Sequence, residues 1–192
     1  MEGSREKNSG KVFSINISAK KGISKTQTST ANLIENFGIE GDVHAGDKTR
    51  QVSLLSWESI SQQQACPKVN PIRSRQGGTN GARKQEIEFK PGDFAENITT
   101  QGLNLAKLKI GDRLIIKDTI ILEVSQIGKE CHNYCEIFKK IGTCIMPKEG
   151  IFTKVIKGGQ IAVGDNVDLC FPTKKKTANR ILPDKDYFLT LY

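Results

Sequence analysis

The sequence predicts a mainly β fold, a barrel or a sandwich, with two or three short helices. Three observations carry this. Short apolar runs alternate with polar residues along most of the chain, glycine-rich turns separate them, and few stretches have helical spacing. The clearest turn signal is a repeat. Leu108-Lys-Ile-Gly-Asp-Arg-Leu114 and Ile161-Ala-Val-Gly-Asp-Asn-Val167 share the pattern apolar-x-apolar-Gly-Asp-x-apolar. Gly and Asp tolerate the backbone angles of a tight turn, so each copy reads as a turn feeding a strand.

The elements follow in order. Residues 1–10 read as a disordered N-terminus, and a single domain spans 11–171. Phe13, Ile15 and Ile17 alternate with Ser14, Asn16 and Ser18, the pattern of a half-buried strand. Residues 19–32 are rich in Lys, Ser and Thr with little periodicity, which predicts a loop. Gly38, Gly41 and Gly46 punctuate the next stretch, and a strand follows at Gln51–Leu55. Ser56 is placed to cap a short helix from Trp57 to about Ala65. At about 66–87 the composition changes: Pro67, Pro71, Gly77, Gly78 and Gly81 stand among basic residues with little to bury. This predicts a mobile insertion, with order resuming around Ile87–Phe89. Strands are predicted at Arg113–Lys117, Ile120–Gln126, Phe152–Ile156 and Val167–Phe171. Residues 172–192 form a basic, polar tail.

Composition narrows the function. The chain has 192 residues, enough for one domain with a substantial core. No apolar run approaches a membrane span, and the N-terminus has no secretory pattern, so a cytoplasmic protein without membrane association is expected. Five cysteines at irregular spacing favour thiol or metal chemistry over a disulfide framework in that compartment. The formal charge is +8, from 29 basic and 21 acidic residues. No aromatic-interleaved basic motif accompanies it, so nucleic acid is not the expected partner. An anionic small ligand such as a phosphate ester suits a basic pocket.

The most informative stretch runs from Gly128 to Lys139, with one of two histidines and two of five cysteines. Tyr134, Ile137, Phe138 and Ile141 have the spacing of an amphipathic helix. Asn133 with Glu136 forms a capping-box-like pair, and Gly142 fits just past the end. Cys131 then lies just before the first turn, where unpaired N–H groups and Lys129 favour a thiolate. Cys131, His132, Cys135 and Cys144 could also be counted to four zinc ligands, although adjacent Cys and His are awkward on one metal. Inert buried cysteines are the plain alternative. A second constellation, Gly38 to Gly46 and on to Arg50, holds Asp42 and His44, which with Arg50 could direct hydrogen bonds or charge at an anion. An ordinary Gly/Asp turn with a surface histidine competes with that reading. Asn97, in Pro91-Gly-Asp-Phe-Ala-Glu-Asn-Ile-Thr-Thr100, is either a pocket residue or the end of a turn.

Together these segments resemble the MOSC domain, shared with the C-terminal part of molybdenum cofactor sulfurases, in its small stand-alone bacterial form. The matching pieces are Gly41-Asp-Val-His-Ala-Gly46, Arg50-Gln-Val-Ser-Leu-Leu55, Pro91-Gly-Asp-Phe-Ala-Glu-Asn-Ile-Thr99 and Ile110-Gly-Asp112. They continue through Gln126-Ile-Gly-Lys-Glu-Cys-His132, Met146-Pro-Lys-Glu-Gly-Ile-Phe152 and Gly158-Gly159 to Gly164-Asp165. The resemblance implies a β-barrel and a pocket centred on Cys131. It implies that this cysteine either carries sulfur as a persulfide or ligates molybdenum in bound molybdopterin. Asp42, His44, Arg50, Asn97, Lys129 and His132 become the candidate cofactor-binding residues, with Arg50 and Lys129 suited to the pterin phosphate. Sulfur transfer and molybdenum-dependent reduction of N-hydroxylated compounds are the implied activities. The implied partners are molybdenum cofactor biosynthesis proteins or a sulfur donor, and a redox partner. The sequence lacks the pyridoxal-phosphate desulfurase domain of full sulfurases, so no pyridoxal phosphate is expected. It also lacks the flavin and iron–sulfur modules, and a non-catalytic carrier or assembly partner is the alternative.

Overall fold

The computed structural model describes residues 9–64, 88–130 and 144–171. Their strands are β1 (Ser9–Ile17), β2 (Thr26–Thr28), β3 (Thr30–Ile34), β4 (Gly38–Ile39), β5 (Val52–Ser56), β6 (Ile98–Gln101), β7 (Arg113–Ile116), β8 (Ile120–Ile127), β9 (Ile151–Lys157), β10 (Gly159–Ala162) and β11 (Asn166–Cys170). Seven close into a barrel in the order β1–β11–β7–β8–β9–β5–β6 and back to β1. β2 pairs with β1 beyond the ring, and β10, β3 and β4 form a separate three-stranded sheet. The architecture is the mainly β barrel that the sequence and its resemblance predict.

Closing the ring constrains strand direction. Each antiparallel step reverses the chain, and an odd ring cannot close on reversals alone. One neighbouring pair must run parallel, and it is β5–β6, with Leu54 opposite Ile98. A parallel pair requires a crossover. Residues 57–97 supply it, beginning with α1 (Trp57–Gln64). The insertion predicted at 66–87 falls within this connection and lies wholly outside the described residues. α1 starts as its sequence predicts: the Ser59 N–H donates to Ser56 Oγ at 3.0 Å. Ser56→Ala is expected to lower stability by about 1 kcal/mol in urea denaturation.

Val12, Ile15, Leu54, Ile98, Leu114, Leu122, Val155 and Val167 fill the barrel core. A second cluster, including Leu55, Ile60, Phe94, Met146 and Phe152, packs beside it. Leu54 and Leu55 point into different clusters, so β5 is buried on both faces and all five of its residues are inside. A short helix, α2 (Met146–Glu149), precedes β9, and Cys144 packs on the second cluster. No helix among the described residues is long and apolar enough to cross a membrane.

The Gly-Asp repeat is one turn built twice. Gly111 and Gly164 sit at φ +91° and +94°, and the following aspartates accept the N–H three residues back, Lys109 from Asp112 and Ala162 from Asp165, each at 2.7 Å. Lys90–Asp93 is a third copy: Gly92 has φ +91° and Asp93 accepts the Lys90 N–H at 2.8 Å. No strand follows it at once, which hides it in the sequence.

Three expectations are corrected. Residues 19–32 are not all loop, because β2 and most of β3 fall there. β3 buries only Ala31 and Leu33 while Thr30, Asn32 and Ile34 face outward, a weak alternation with one small inward residue. The face of β1 also differs. A register shift between Val12 and Ser14 puts Val12, Ser14, Ile15 and Asn16 inside, while Phe13 is half-buried and stacks on Trp57 at 5.0 Å. β1 also begins at Ser9, inside the span read as a disordered terminus. The helix predicted after Asn133 lies outside the described residues, as does the tail from 172.

Candidate functional site

Four segments build a buried polar cluster. The β1–β2 loop supplies Lys25, the β4–β5 loop Asp42 and His44, the segment ahead of β6 Glu96, and the exit of β8 Lys129. The third Gly-Asp turn locks the first and third segments together. The Lys25 N–H donates to Gly92 O at 2.9 Å, and a Cβ on Gly92 would stand 2.5 Å from Lys25 O. Glycine is required by that approach and by its φ.

Asp42 is the hub. Its Oδ2 accepts Lys25 Nζ at 2.6 Å and the Ser18 N–H at 3.1 Å. Its Oδ1 accepts the His44 N–H at 3.0 Å and faces His44 Nδ1 at 3.4 Å. Burial alone would raise this carboxyl. The hydrogen bonds from His44 and Lys25 and the Lys25 charge outweigh it and hold Asp42 well below the usual carboxylate range. Lys25 is as deeply buried, and burial pushes its ammonium down. Asp42 pulls it back up, Glu96 adds to that pull, and the Lys129 charge opposes it. That last influence ties Lys129 electrostatically to the cluster.

Glu96 is fully buried. Its Oε1 accepts the Gly92 N–H at 2.6 Å and Thr99 Oγ1 at 2.8 Å. Its Oε2 has no hydrogen-bond partner among the described residues. Burial pushes this carboxyl up to about 7 against the pull of those donors and of the Glu96 and Phe94 backbone N–H groups. Sequence reasoning missed Glu96 and Lys25. A carboxylate set between Phe94-Ala95 and Ile98 was the available signal for the first. Lys25 is one lysine among several in a polar loop and gave none.

The remaining candidates divide. Asp42 and His44 share one site, and Lys129 is coupled to it. Gly128 sets the position of Lys129: at φ +64°, its Cβ would stand 2.3 Å from Pro147 O, and the Lys129 N–H donates to that same oxygen at 3.3 Å. Arg50 sits on a loop that Asp47 organises by accepting its N–H at 2.8 Å. Thr49 O accepts Ser125 Oγ, clipping this loop to β8, the strand that leads to Lys129. The Arg50 side chain is largely exposed, its Nη2 3.7 Å from Asp47 Oδ2. Asn97 serves the barrel wall. Its Oδ1 accepts Ser53 N–H and Ser53 Oγ at 3.1 and 2.9 Å, and its Nδ2 donates to Asn16 O at 3.3 Å. It thus joins β5 and β1 at the parallel seam with no polar atom left over. Cys131 and His132 lie outside the described residues, as do Cys66 and Cys135. No group of three metal-ligating side chains occurs among the described residues.

A closed seven-stranded barrel with buried acids and a lysine beside one strand exit defines a β-barrel domain with a polar, charge-bearing site. The MOSC domain model matches residues 40–168, more than half of the chain, and the chain belongs to the MOSC family, which is associated with molybdenum cofactor. Among solved structures it is similar to the YuaD protein of Bacillus subtilis, with a TM-score of 0.62 and 18% identity, covering 85% of this chain and 97% of that one. YiiM of Geobacillus stearothermophilus gives 0.58 and 19%, covering 84% and 75%. YiiM of Escherichia coli gives 0.55 and 18%, covering 85% and 71%. At such identities the likeness is one of fold. A comparison with the curated proteins finds no match.

Proposed function

We propose that this MOSC protein binds molybdenum cofactor, or carries sulfur to it, through Cys131. The observation that carries the reading is the exit of β8. Gly128 fixes Lys129 in a position coupled to the Lys25–Asp42–Glu96 cluster, and Cys131 follows two residues later in the chain. A cation so close in sequence favours the thiolate that metal ligation or persulfide chemistry requires.

The described residues fit such a cofactor by the chemistry of their donors. Lys129 is half-buried and Arg50 largely exposed, and both suit a phosphate group, Arg50 through its planar fork. His44 carries a second ring nitrogen beyond the one facing Asp42, and His132 follows Cys131 in the sequence. Glu96 Oε2 has no hydrogen-bond partner among the described residues and lies in the same cluster. Asn97 acts indirectly by holding the seam from which Glu96 projects. When bound, the cofactor supplies a redox-active molybdenum centre, the basis for reduction of N-hydroxylated compounds with a redox partner. In the sulfur-carrying form of the reading the partner is a sulfur donor or a cofactor biosynthesis protein.

The test is purification of the full chain from a host that makes the cofactor, with molybdenum measured by mass spectrometry and labile sulfur by cyanolysis. Wild type is expected to retain molybdenum or transferable sulfur, and Cys131→Ala to lose most of it. Wild-type protein with neither would sink the reading.

A further inference from the structure

The cluster holds two buried carboxylates that are satisfied very differently. Asp42 engages both oxygens, and its Oδ2 accepts the Lys25 ammonium at 2.6 Å. Glu96 engages only Oε1. A directed chain of donors ends there: Ser14 Oγ donates to Asn16 Oδ1 at 2.8 Å, Asn16 Nδ2 to Thr99 Oγ1 at 3.3 Å, and Thr99 Oγ1 to Glu96 Oε1 at 2.8 Å. With Oε1 committed as a double acceptor, Oε2 is the oxygen left to carry a proton. It is buried and unpartnered among the described residues, and such an atom is costly unless it is used.

We propose that Glu96 is the proton-holding residue of a proton-linked anion site, in which the proton on Oε2 sets the net charge of the buried cluster that Lys129 joins through Lys25. The inference rests on the reading of this pocket as a holder of an anionic group. With Oε2 protonated, Lys25, Asp42 and Glu96 together are neutral, and Lys129 leaves the site net positive. With Oε2 ionised, that excess is cancelled and the anion loses most of its attraction. Anion binding therefore takes up a proton at Glu96. The upward push of burial on this carboxyl places the exchange near neutral pH.

The groups around Glu96 limit what else can titrate. The β1–β2 loop presents Lys25, the β4–β5 loop presents Asp42 and His44 through Lys25, and the β8 exit carries Lys129, whose charge reaches Lys25. β1 and β6 present Asn16 and Thr99, which do not titrate in this range. Asp93, in the adjacent turn, binds the Lys90 N–H. His44 is the other ionisable ring beside the cluster, so the experiment is run in a His44→Gln background.

Sulfate is the probe, because its charge stays constant between about pH 5.5 and about pH 8.5 while the site's changes. Binding to the full chain is followed by calorimetry in buffers of different ionisation enthalpy. The expected result is several-fold tighter binding at the lower pH with proton uptake, and a flat profile after Glu96→Gln. Infrared spectra at neutral pH should show a protonated carboxyl stretch that Glu96→Gln lacks. If that variant does not fold, Thr99→Val replaces it. Loss of the hydroxyl donor disfavours the ionised form, so the pH midpoint of sulfate binding should move upward. Equal pH dependence with and without Glu96, an unmoved midpoint in Thr99→Val, or no sulfate binding at any pH would overturn the proposal. The assay needs no molybdenum, so a failure to retain the metal sinks the proposed function alone, and a flat sulfate profile sinks this inference alone.

Discussion

Replacing Asp42 with alanine is expected to lower stability by about 3–5 kcal/mol, the range for breaking a buried ion pair by deleting one partner. The residue has no exposed side-chain surface and accepts from Lys25 Nζ, the Ser18 N–H and the His44 N–H. Alanine strands all three donors away from water, and the Lys25 ammonium must either lose its proton or stay charged in a buried site. Urea denaturation measures the loss. Asp42→Asn should cost less, since its amide oxygen still accepts. Lys25→Met added to Asp42→Asn should recover part of the remaining cost, because the stranded charge is then gone. Full recovery by Lys25→Met alone in the alanine variant would show that the backbone donors matter little. The pH sign follows from the depressed carboxyl. Its stabilising contribution is complete above the ordinary value of 3.8 and is lost as pH falls below that toward the lower folded value. Acid unfolding of the wild type should therefore include a step that Asp42→Asn lacks.

The strands from β7 onward were largely legible because their signals agree with one another. β7, β8, β9 and β11 combine apolar alternation with β-branched residues, and two follow a Gly-Asp turn. Predicted and observed bounds there differ by one residue at an end. β3 and β10 were not legible, since each buries few side chains and draws its stability from pairing with the other, with Ile161 opposite Ala31. Such pairing is a long-range fact that local pattern cannot express. On β1 Ile15 and Ile17 pack in or against the core as predicted, and Phe13 departs for a different reason. A register shift moves side chains to the other face, and nothing in Val12-Phe13-Ser14 marks its position.

The site was legible where chemistry and backbone constraint coincide. Asp42 and His44 stand in a glycine-rich loop, and that loop does bring the carboxylate and imidazole together. Asn97 shows the limit of motif reasoning: a polar residue in a family motif reads as a ligand group, yet its amide bonds hold β5 to β1. Lys25 and Glu96 escaped because burial, not residue type, makes them unusual. A lysine is ordinary until it is nearly inaccessible, and a glutamate is ordinary until it is wholly buried.

Glu96 then makes the protein's stability depend on pH in the direction opposite to Asp42. Its folded carboxyl lies near 7, above the ordinary value of 4.5. Below 4.5 the folded and unfolded chains both hold the proton, and the residue exacts no electrostatic penalty. Between 4.5 and about 7 the unfolded chain releases a proton that the folded chain keeps, so stability falls as pH rises. Above about 7 the penalty is complete, about 3 kcal/mol from a shift of that size. Glu96→Gln retains an acceptor for Gly92 and Thr99 but cannot ionise. The stability difference between variant and wild type, measured by urea denaturation, should therefore grow by about 2.5 kcal/mol in the variant's favour from about pH 5 to about pH 8. A difference that stays constant across this range would mean that Glu96 remains ionised in the folded chain, and that its free oxygen finds a cation. A fold that tolerates a group so costly at neutral pH, when glutamine would fill the same space, retains it for something other than stability.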